Sequence, residues 1–139
     1  GYTDMVEIFE FEKKHQTPYT PNISLFYALD KRMDLLLAET HEKVYQRHKA
    51  MAEYTQNWAK KHFAMFPEEG YASITVSCIK NTQNKSVSEL NQKLAEKGLS
   101  ISNGYGKLAD QTFRIGHMGE WTLSQIKDVI AAIDEAWGL

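Results

Sequence analysis

Residues 103–119 read NGYGKLADQTFRIGHMG, a glycine-bearing loop that leads into a candidate β-strand. Within the strand candidate, residues 112–118, the apolar Phe113 and Ile115 alternate with Arg114. An alternation of period two is typical of a strand whose two faces meet different surroundings. The pattern predicts one apolar face for the core and a second face that carries an arginine.

Two stretches upstream have further strand patterns. SITVSCIK, residues 73–80, places Ile74, Val76 and Cys78 on one side, as in a half-buried strand. On this pattern Cys78 is interpreted as a small buried hydrophobe. LSIS, residues 99–102, predicts a short third strand. The NGYG loop after it lacks the spacing of a phosphate-binding motif and is interpreted as a plain turn.

Helices are predicted along the first half of the chain. A short helix candidate lies within residues 1–15, and Thr20 followed by Pro21 is typical of an N-cap with proline at the first helical position. A second, longer helix is expected to begin at Thr40 and to end before Pro67. Its apolar residues recur in steps of four and three, which predicts that one face is packed along the whole helix.

Two capping boxes predict helices in the second half. Ser86 with Glu89, and Thr122 with Gln125, have the spacing in which two side chains satisfy each other's backbone N–H groups. Gly98 is expected to end the first of these helices. Together the patterns predict an α+β fold in two layers. The sheet is expected to be small and mostly antiparallel, with about three strands and helices on one face.

The composition narrows the class of protein. Among 139 residues, 16 lysines and arginines stand against 18 acidic residues, and this net charge of −2 argues against a nucleic-acid partner. No apolar run approaches the roughly 18 residues that a membrane-spanning helix needs, and no signal peptide is evident. A single cysteine is typical of the reducing cytoplasm. These features predict a single-domain cytoplasmic protein without a membrane partner.

The histidines do not have the spacing of metal ligands. His41, His48 and His62 lie at multiples of seven along one predicted helix, so neighbours are at least about 10 Å apart. A single zinc ion cannot bridge that distance, and no HExxH or CxxC pattern is present. No metal site is predicted, and His48 and His62 are interpreted as packed helix residues that hydrogen-bond to a neighbour.

Arg114 is the strongest candidate for a functional residue. Its strand face also carries Thr112 and Gly116, which are small and leave room around a guanidinium group. An arginine in such a niche can bind a carboxylate through two parallel hydrogen bonds. The alternative is an ordinary arginine on the solvent side of a half-exposed sheet, because charged residues are mostly exposed.

Several segments resemble a known family when they are taken in order. They are TPYTPNISLFYALDKRMDLLLAE at 17–39, QRH at 46–48 and NGYGKLADQTFRIGHMG at 103–119. This series resembles the carboxy-terminal part of class V aminotransferases, in particular the serine–pyruvate and alanine–glyoxylate enzymes. These are pyridoxal-phosphate enzymes of the aspartate-aminotransferase fold. The resemblance extends over nearly the whole chain.

The resemblance implies roles for particular residues. In that family the arginine of the RIG motif binds the α-carboxylate of the amino-acid or 2-oxo-acid substrate, and this arginine is Arg114 here. The family also implies a homodimer in which a hydroxyl of one subunit contacts the cofactor phosphate of the other. Thr17, Tyr19 and Thr20 are the candidates for that hydroxyl.

The resemblance also implies a domain organisation. Residues 1–21 would form a leading segment and residues 22–139 the small α+β domain, whereas the large domain with the Schiff-base lysine would lie outside this sequence. On this interpretation the 139 residues alone are not expected to transaminate. Whether the parent is a transaminase or a related lyase stays open. The alternative function is a non-catalytic module that binds an amino acid or dimerises.

Overall fold

The structure is a computed structural model, and it describes residues 3–139. The chain divides into two compact units, and the boundary lies between His41 and Glu42. The leading unit contains helices α1, Met5–Glu12, and α2, Ile23–Glu39. The main unit contains the remaining helices and the sheet.

Helix α2 begins two residues later than the sequence predicted. The N-cap is Asn22, whose side chain accepts a hydrogen bond from the backbone N–H of Leu25 at 3.1 Å. Thr20 and Pro21 lie before the helix, so their interpretation as cap and first helical residue is wrong. An asparagine caps a helix at least as well as a threonine, and here Asn22 forms the capping hydrogen bond.

The main unit is an antiparallel sheet with helices on one face. The strand order is β1-β2-β4-β3, and every neighbouring pair is antiparallel. The α+β prediction is confirmed, with four strands where about three were expected. The elements are α3, His41–His62; β1, Ala64–Met65; β2, Val76–Lys80; α4, Val87–Ala95; β3, Ser102–Asn103; a short 3-10 helix, Gly106–Leu108; β4, Thr112–Gly116; and α5, Leu123–Trp137.

The long helix α3 ends earlier than predicted. It stops at His62, and Ala64 and Met65 then pair with Lys80 and Ile79 of β2. The extra strand was missed because two residues are too few to show a period of their own. The two helices with predicted capping boxes begin where the sequence placed them, although at α4 the hydrogen bond shown is only the one that Ser86 accepts from the backbone N–H of Glu89. Ser86 caps α4, and the reciprocal box expected at the start of α5 is present.

The core lies between the sheet and the helices. Phe113 of β4 is fully buried and makes edge-on contacts with Phe63 and Trp137, with ring centroids 5.2 and 5.3 Å away. Such aromatic contacts add to the free energy of area burial. The same core includes Met51 and Trp58 of α3, Ile79 of β2, Leu90 and Leu94 of α4, Ile115 of β4, and Ile126, Ile130 and Ile133 of α5.

The other side of the sheet is named the open face, and Cys78 and Arg114 define it. These two residues pair across β2 and β4, and both are half-buried. On the covered face the neighbouring Ser77 and Ile79 have no exposed surface. The interpretation of Cys78 as a buried core residue is therefore wrong, because the pairing register turns Ile79 and not Cys78 toward Phe113.

Candidate functional site

Arg114 occupies the middle of β4 on the open face. Its register partners are Cys78 on β2 and Ser102 on β3, so a strand lies on either side of it. A Cβ added to Gly116 would meet no atom within 4 Å, which leaves free space next to Arg114 along the strand. The structure thus places the arginine on the face that the sequence predicted, beside a residue that leaves room around it.

Two groups of the preceding loop hold the guanidinium group. Arg114 Nη2 donates a hydrogen bond to the backbone carbonyl of Asn103 at 3.1 Å. The guanidinium carbon lies over the ring of Tyr105, 4.1 Å from its centroid, which is a cation–π contact. Hydrogen bonding and the positive charge of Arg114 lower the pKa of the Tyr105 phenol. Sequence reasoning missed both partners, although they belong to the NGYG loop that it interpreted as a turn.

The loop that contains these partners is closed by its own hydrogen bonds. Asn103 Oδ1 accepts from the backbone N–H of Asp110 at 2.8 Å, and Asn103 Nδ2 donates to Asp110 Oδ1 at 3.0 Å. Gly104 is needed for closure, since an added Cβ would lie 2.0 Å from the carbonyl oxygen of Leu108. The loop is more than a plain turn, because it includes a short 3-10 helix and holds Arg114.

Cys78 lies opposite Arg114 but is poorly suited to act as a nucleophile. Burial raises the pKa of its thiol, and the nearby charge of Arg114 opposes this shift only in part. A thiol with a raised pKa is protonated at neutral pH and reacts slowly. Cys78 is therefore a neighbour of Arg114 on the open face and not a candidate nucleophile.

A buried polar pair lies on the covered face of the sheet. His117 directly follows β4, has no exposed surface, and shares a 2.9 Å hydrogen bond between its Nε2 and the hydroxyl of Ser77. Within residues 3–139 its Nδ1 has no hydrogen-bond partner, and burial lowers the pKa of the imidazole. Sequence reasoning did not single out this pair. The available signal was that His117 continues the alternation of Phe113 and Ile115.

The other candidate residues lie in the loop between α1 and α2. The Thr17 hydroxyl donates to the backbone carbonyl of Tyr19 at 2.7 Å, and the Tyr19 hydroxyl donates to Glu7 at 3.1 Å. This hydrogen bond to a carboxylate raises the pKa of the Tyr19 phenol. Thr20 is exposed, and no hydrogen bond joins its side chain to another described residue. The three residues share one loop of the leading unit, whereas Arg114 belongs to the main unit.

The positions of the histidines and acidic residues were compared with the needs of a metal site. In the part of the chain that the structure describes, no group of three or more histidine, cysteine, aspartate or glutamate side chains could hold a metal ion. His48 is buried, and its Nδ1 lies 2.7 Å from the carbonyl of Val44, as expected for a packed helix histidine. Over the same residues, no helix is long and apolar enough to cross a membrane.

The fold occurs in enzymes that transfer amino groups. A phosphoserine aminotransferase from Cytophaga hutchinsonii superimposes with a TM-score of 0.84 at 21% identity, over 97% of this chain and 38% of that one. At this identity the match shows the fold alone. No protein-family model matches the chain.

Proteins of similar sequence identify the family more closely than the shared fold does. An uncharacterized aminotransferase of Methanocaldococcus jannaschii is 33% identical over 128 residues, which cover 91% of this chain and 33% of that protein. A serine–glyoxylate aminotransferase of Arabidopsis thaliana is 30% identical over 122 residues, which cover 84% of this chain and 30% of that protein. The homologues of this chain are class V aminotransferases, so the resemblance seen in the sequence is confirmed. The chain spans about a third of the length of these relatives.

Proposed function

We propose that this chain is the carboxy-terminal small domain of a pyridoxal-phosphate-dependent class V aminotransferase, in which Arg114 binds the α-carboxylate of the substrate. The observation that supports this proposal is the arginine itself. It is half-buried on the open face, next to free space at Gly116, and held by Asn103 and Tyr105. The aminotransferase homologues make an amino acid and a 2-oxo acid the substrates to expect.

The chemistry of a guanidinium group suits this role. Arginine is charged at every physiological pH and has a planar fork of N–H donors that matches a carboxylate. The hydrogen bond to Asn103 occupies Nη2 and leaves other N–H groups of the fork for a ligand. Two parallel hydrogen bonds to the carboxylate would fix the direction of the substrate's Cα–H bond. Such orientation is a large part of what an enzyme contributes to a reaction between bound groups.

Pyridoxal phosphate would supply the electron-withdrawing ring, and this chain would supply one contact to its phosphate. Of the three candidates, the Thr17 hydroxyl already donates within its own loop. The Tyr19 hydroxyl donates to Glu7, whose negative charge would repel a phosphate. Thr20 is exposed and fits the role, since a hydroxyl can donate to a phosphate oxygen. We therefore assign the phosphate contact to Thr20, across the homodimer that the family resemblance implies.

The proposal assigns the Schiff-base lysine to the large domain of the same protein, outside these 139 residues. The relatives are about three times as long as the matched region, which leaves room for such a domain. On this view the 139 residues alone bind no covalent cofactor and do not transaminate. Their part in the reaction is to bind and orient the substrate.

The carboxylate assignment is tested by Arg114→Ala in the full-length protein that contains this chain. Loss of a charge-assisted bidentate pair costs roughly 1.5–3 kcal/mol, so the KM of the amino-acid substrate should rise about tenfold to a hundredfold. Steady-state kinetics against the amino acid and the 2-oxo acid give this number. The matched control is Lys80→Ala, which removes an exposed positive charge from the same face of the sheet.

Two outcomes would contradict the assignment. An unchanged KM in Arg114→Ala would show that the arginine does not contact the substrate. An equal rise in KM in Lys80→Ala would show that the effect is one of general charge and not of a specific site. An amine without a carboxylate serves as a further control, because its turnover should be insensitive to Arg114.

A further inference from the structure

Tyr105 is an exposed aromatic residue that contacts the candidate substrate-binding arginine. The residue is 77% exposed, yet the centroid of its ring lies 4.1 Å from the guanidinium carbon of Arg114. Burial of apolar area does not account for a tyrosine that is so exposed. The contact with Arg114 is the specific interaction that its ring makes.

The ring is presented by a loop with fixed geometry. On one side of Tyr105, Gly104 donates its backbone N–H to the carbonyl of Thr112 at 2.9 Å. On the other side the 3-10 helix begins at Gly106, and Leu108 donates its N–H to the carbonyl of Tyr105 at 2.9 Å. The paired side chains of Asn103 and Asp110 close the base of the loop. The backbone that carries the ring is therefore fixed, although the side chain is exposed.

The two contacts on Arg114 constrain different movements of the guanidinium group. An aromatic ring over its face restricts the tilt of the plane, and the phenol of Tyr105 also interacts with the guanidinium group. The carbonyl of Asn103, at 3.1 Å from Nη2, restricts rotation within the plane. A bidentate carboxylate lies in the plane of the guanidinium group, and a ring stacked on the face does not block that plane.

We propose that Tyr105 is a positioning residue for substrate binding, because its ring preorganises the Arg114 guanidinium to accept a carboxylate along one edge. The inference rests on the proposed function of Arg114 and goes beyond it. Preorganisation lowers the entropic cost of binding, since the arginine side chain is already ordered before the substrate arrives. The stacked ring is assigned this role, and the contribution of the phenol hydroxyl is measured separately by Tyr105→Phe.

The experiment compares Tyr105→Ala and Tyr105→Phe in the full-length protein, each with and without Arg114→Ala. An exposed cation–π contact predicts a rise of about two- to fivefold in the KM of the amino acid for Tyr105→Ala, with kcat and Tm unchanged. Tyr105→Phe keeps the ring and removes only the hydroxyl, so its KM should rise less than that of Tyr105→Ala. In the Arg114→Ala background, Tyr105→Ala should have no further effect on KM. Tyr71→Ala is the control, because Tyr71 is 80% exposed and lies outside the site.

The outcomes separate the two proposals. If Arg114→Ala raises KM but Tyr105→Ala does not, the positioning role is overturned and the carboxylate assignment stands. If Tyr105→Ala raises KM equally in both backgrounds, the ring acts on the substrate by another route and the positioning role is also overturned. If Arg114→Ala has no effect, the proposed function itself fails. A lowered Tm in Tyr105→Ala with KM unchanged would assign the ring a purely structural role.

Discussion

The two faces of strand β4 hold basic side chains in opposite surroundings. Arg114 is half-buried on the open face, with an aromatic ring and a carbonyl as neighbours and free space beside it. His117, at the end of the same strand, is fully buried on the covered face, where its partner is the neutral hydroxyl of Ser77. The guanidinium group stays charged beside open space, whereas burial lowers the pKa of the histidine. One alternating sequence thus produces a fully buried face and a face on which a charged side chain is half-buried.

The largest expected difference between the faces concerns stability, and Phe113→Ala tests it. Phe113 is fully buried between Phe63 and Trp137, so its truncation should lower the free energy of unfolding by about 3–5 kcal/mol. Cys78→Ala on the open face is the control and should cost less than about 1 kcal/mol. Urea denaturation followed by tryptophan fluorescence measures both. Equal losses would show that the open face is as much a part of the core as the covered face.

The alternation of β4 was predictable from the sequence because its apolar residues all have one parity. Phe113 and Ile115 define the covered face, and the same alternation assigns Arg114 to the opposite face. Strand β2 was ambiguous, since Val76 and Ile79 are apolar with opposite parity. The register that pairs Ile79 with Phe113 decides which face of β2 packs against the core. This register is a long-range property, so a local pattern could not supply it.

The arginine of the candidate site was predictable from the sequence, but the residues that contact it were not. Small neighbours and the RIG motif identified Arg114 from the sequence. The roles of Asn103 and Tyr105 depend on how the intervening loop closes, through Asp110 seven residues along the chain from Asn103. Hydrogen bonds of that kind have no periodicity. For the same reason the buried pair of Ser77 and His117 was not foreseen.

The second difference between the faces is in their response to pH. Burial holds the pKa of His117 below its usual value of about 6.5, so the folded state favours the neutral ring. Above this pH neither state is protonated and stability is not affected. As the pH falls below about 6.5, the unfolded histidine binds a proton that the folded one does not. The free energy of unfolding should then fall by up to about 1.4 kcal/mol per pH unit.

Urea denaturation between pH 7.5 and 5.5 measures this slope, and a double variant serves as its control. Ser77→Ala with His117→Leu removes both partners together, which avoids leaving one buried polar group unpaired. Its stability should depend less steeply on pH than that of the wild type. Identical slopes in the two proteins would show that another group is responsible. Arg114→Ala should keep the wild-type slope, because an arginine does not titrate in this range.

The smallest expected effect tests whether the open face has the space that the site requires. In Gly116→Ala the added methyl group would meet no atom within 4 Å, and the backbone is outside the left-handed region. The substitution removes conformational freedom from the unfolded chain, so stability should rise by about 0.4–1 kcal/mol. Gly104→Ala is the contrast, because its methyl group would lie 2.0 Å from the Leu108 carbonyl oxygen and should destabilise the loop. A marked loss of stability in Gly116→Ala would mean that the space beside Arg114 is filled in the folded protein, and a carboxylate would then have no room there.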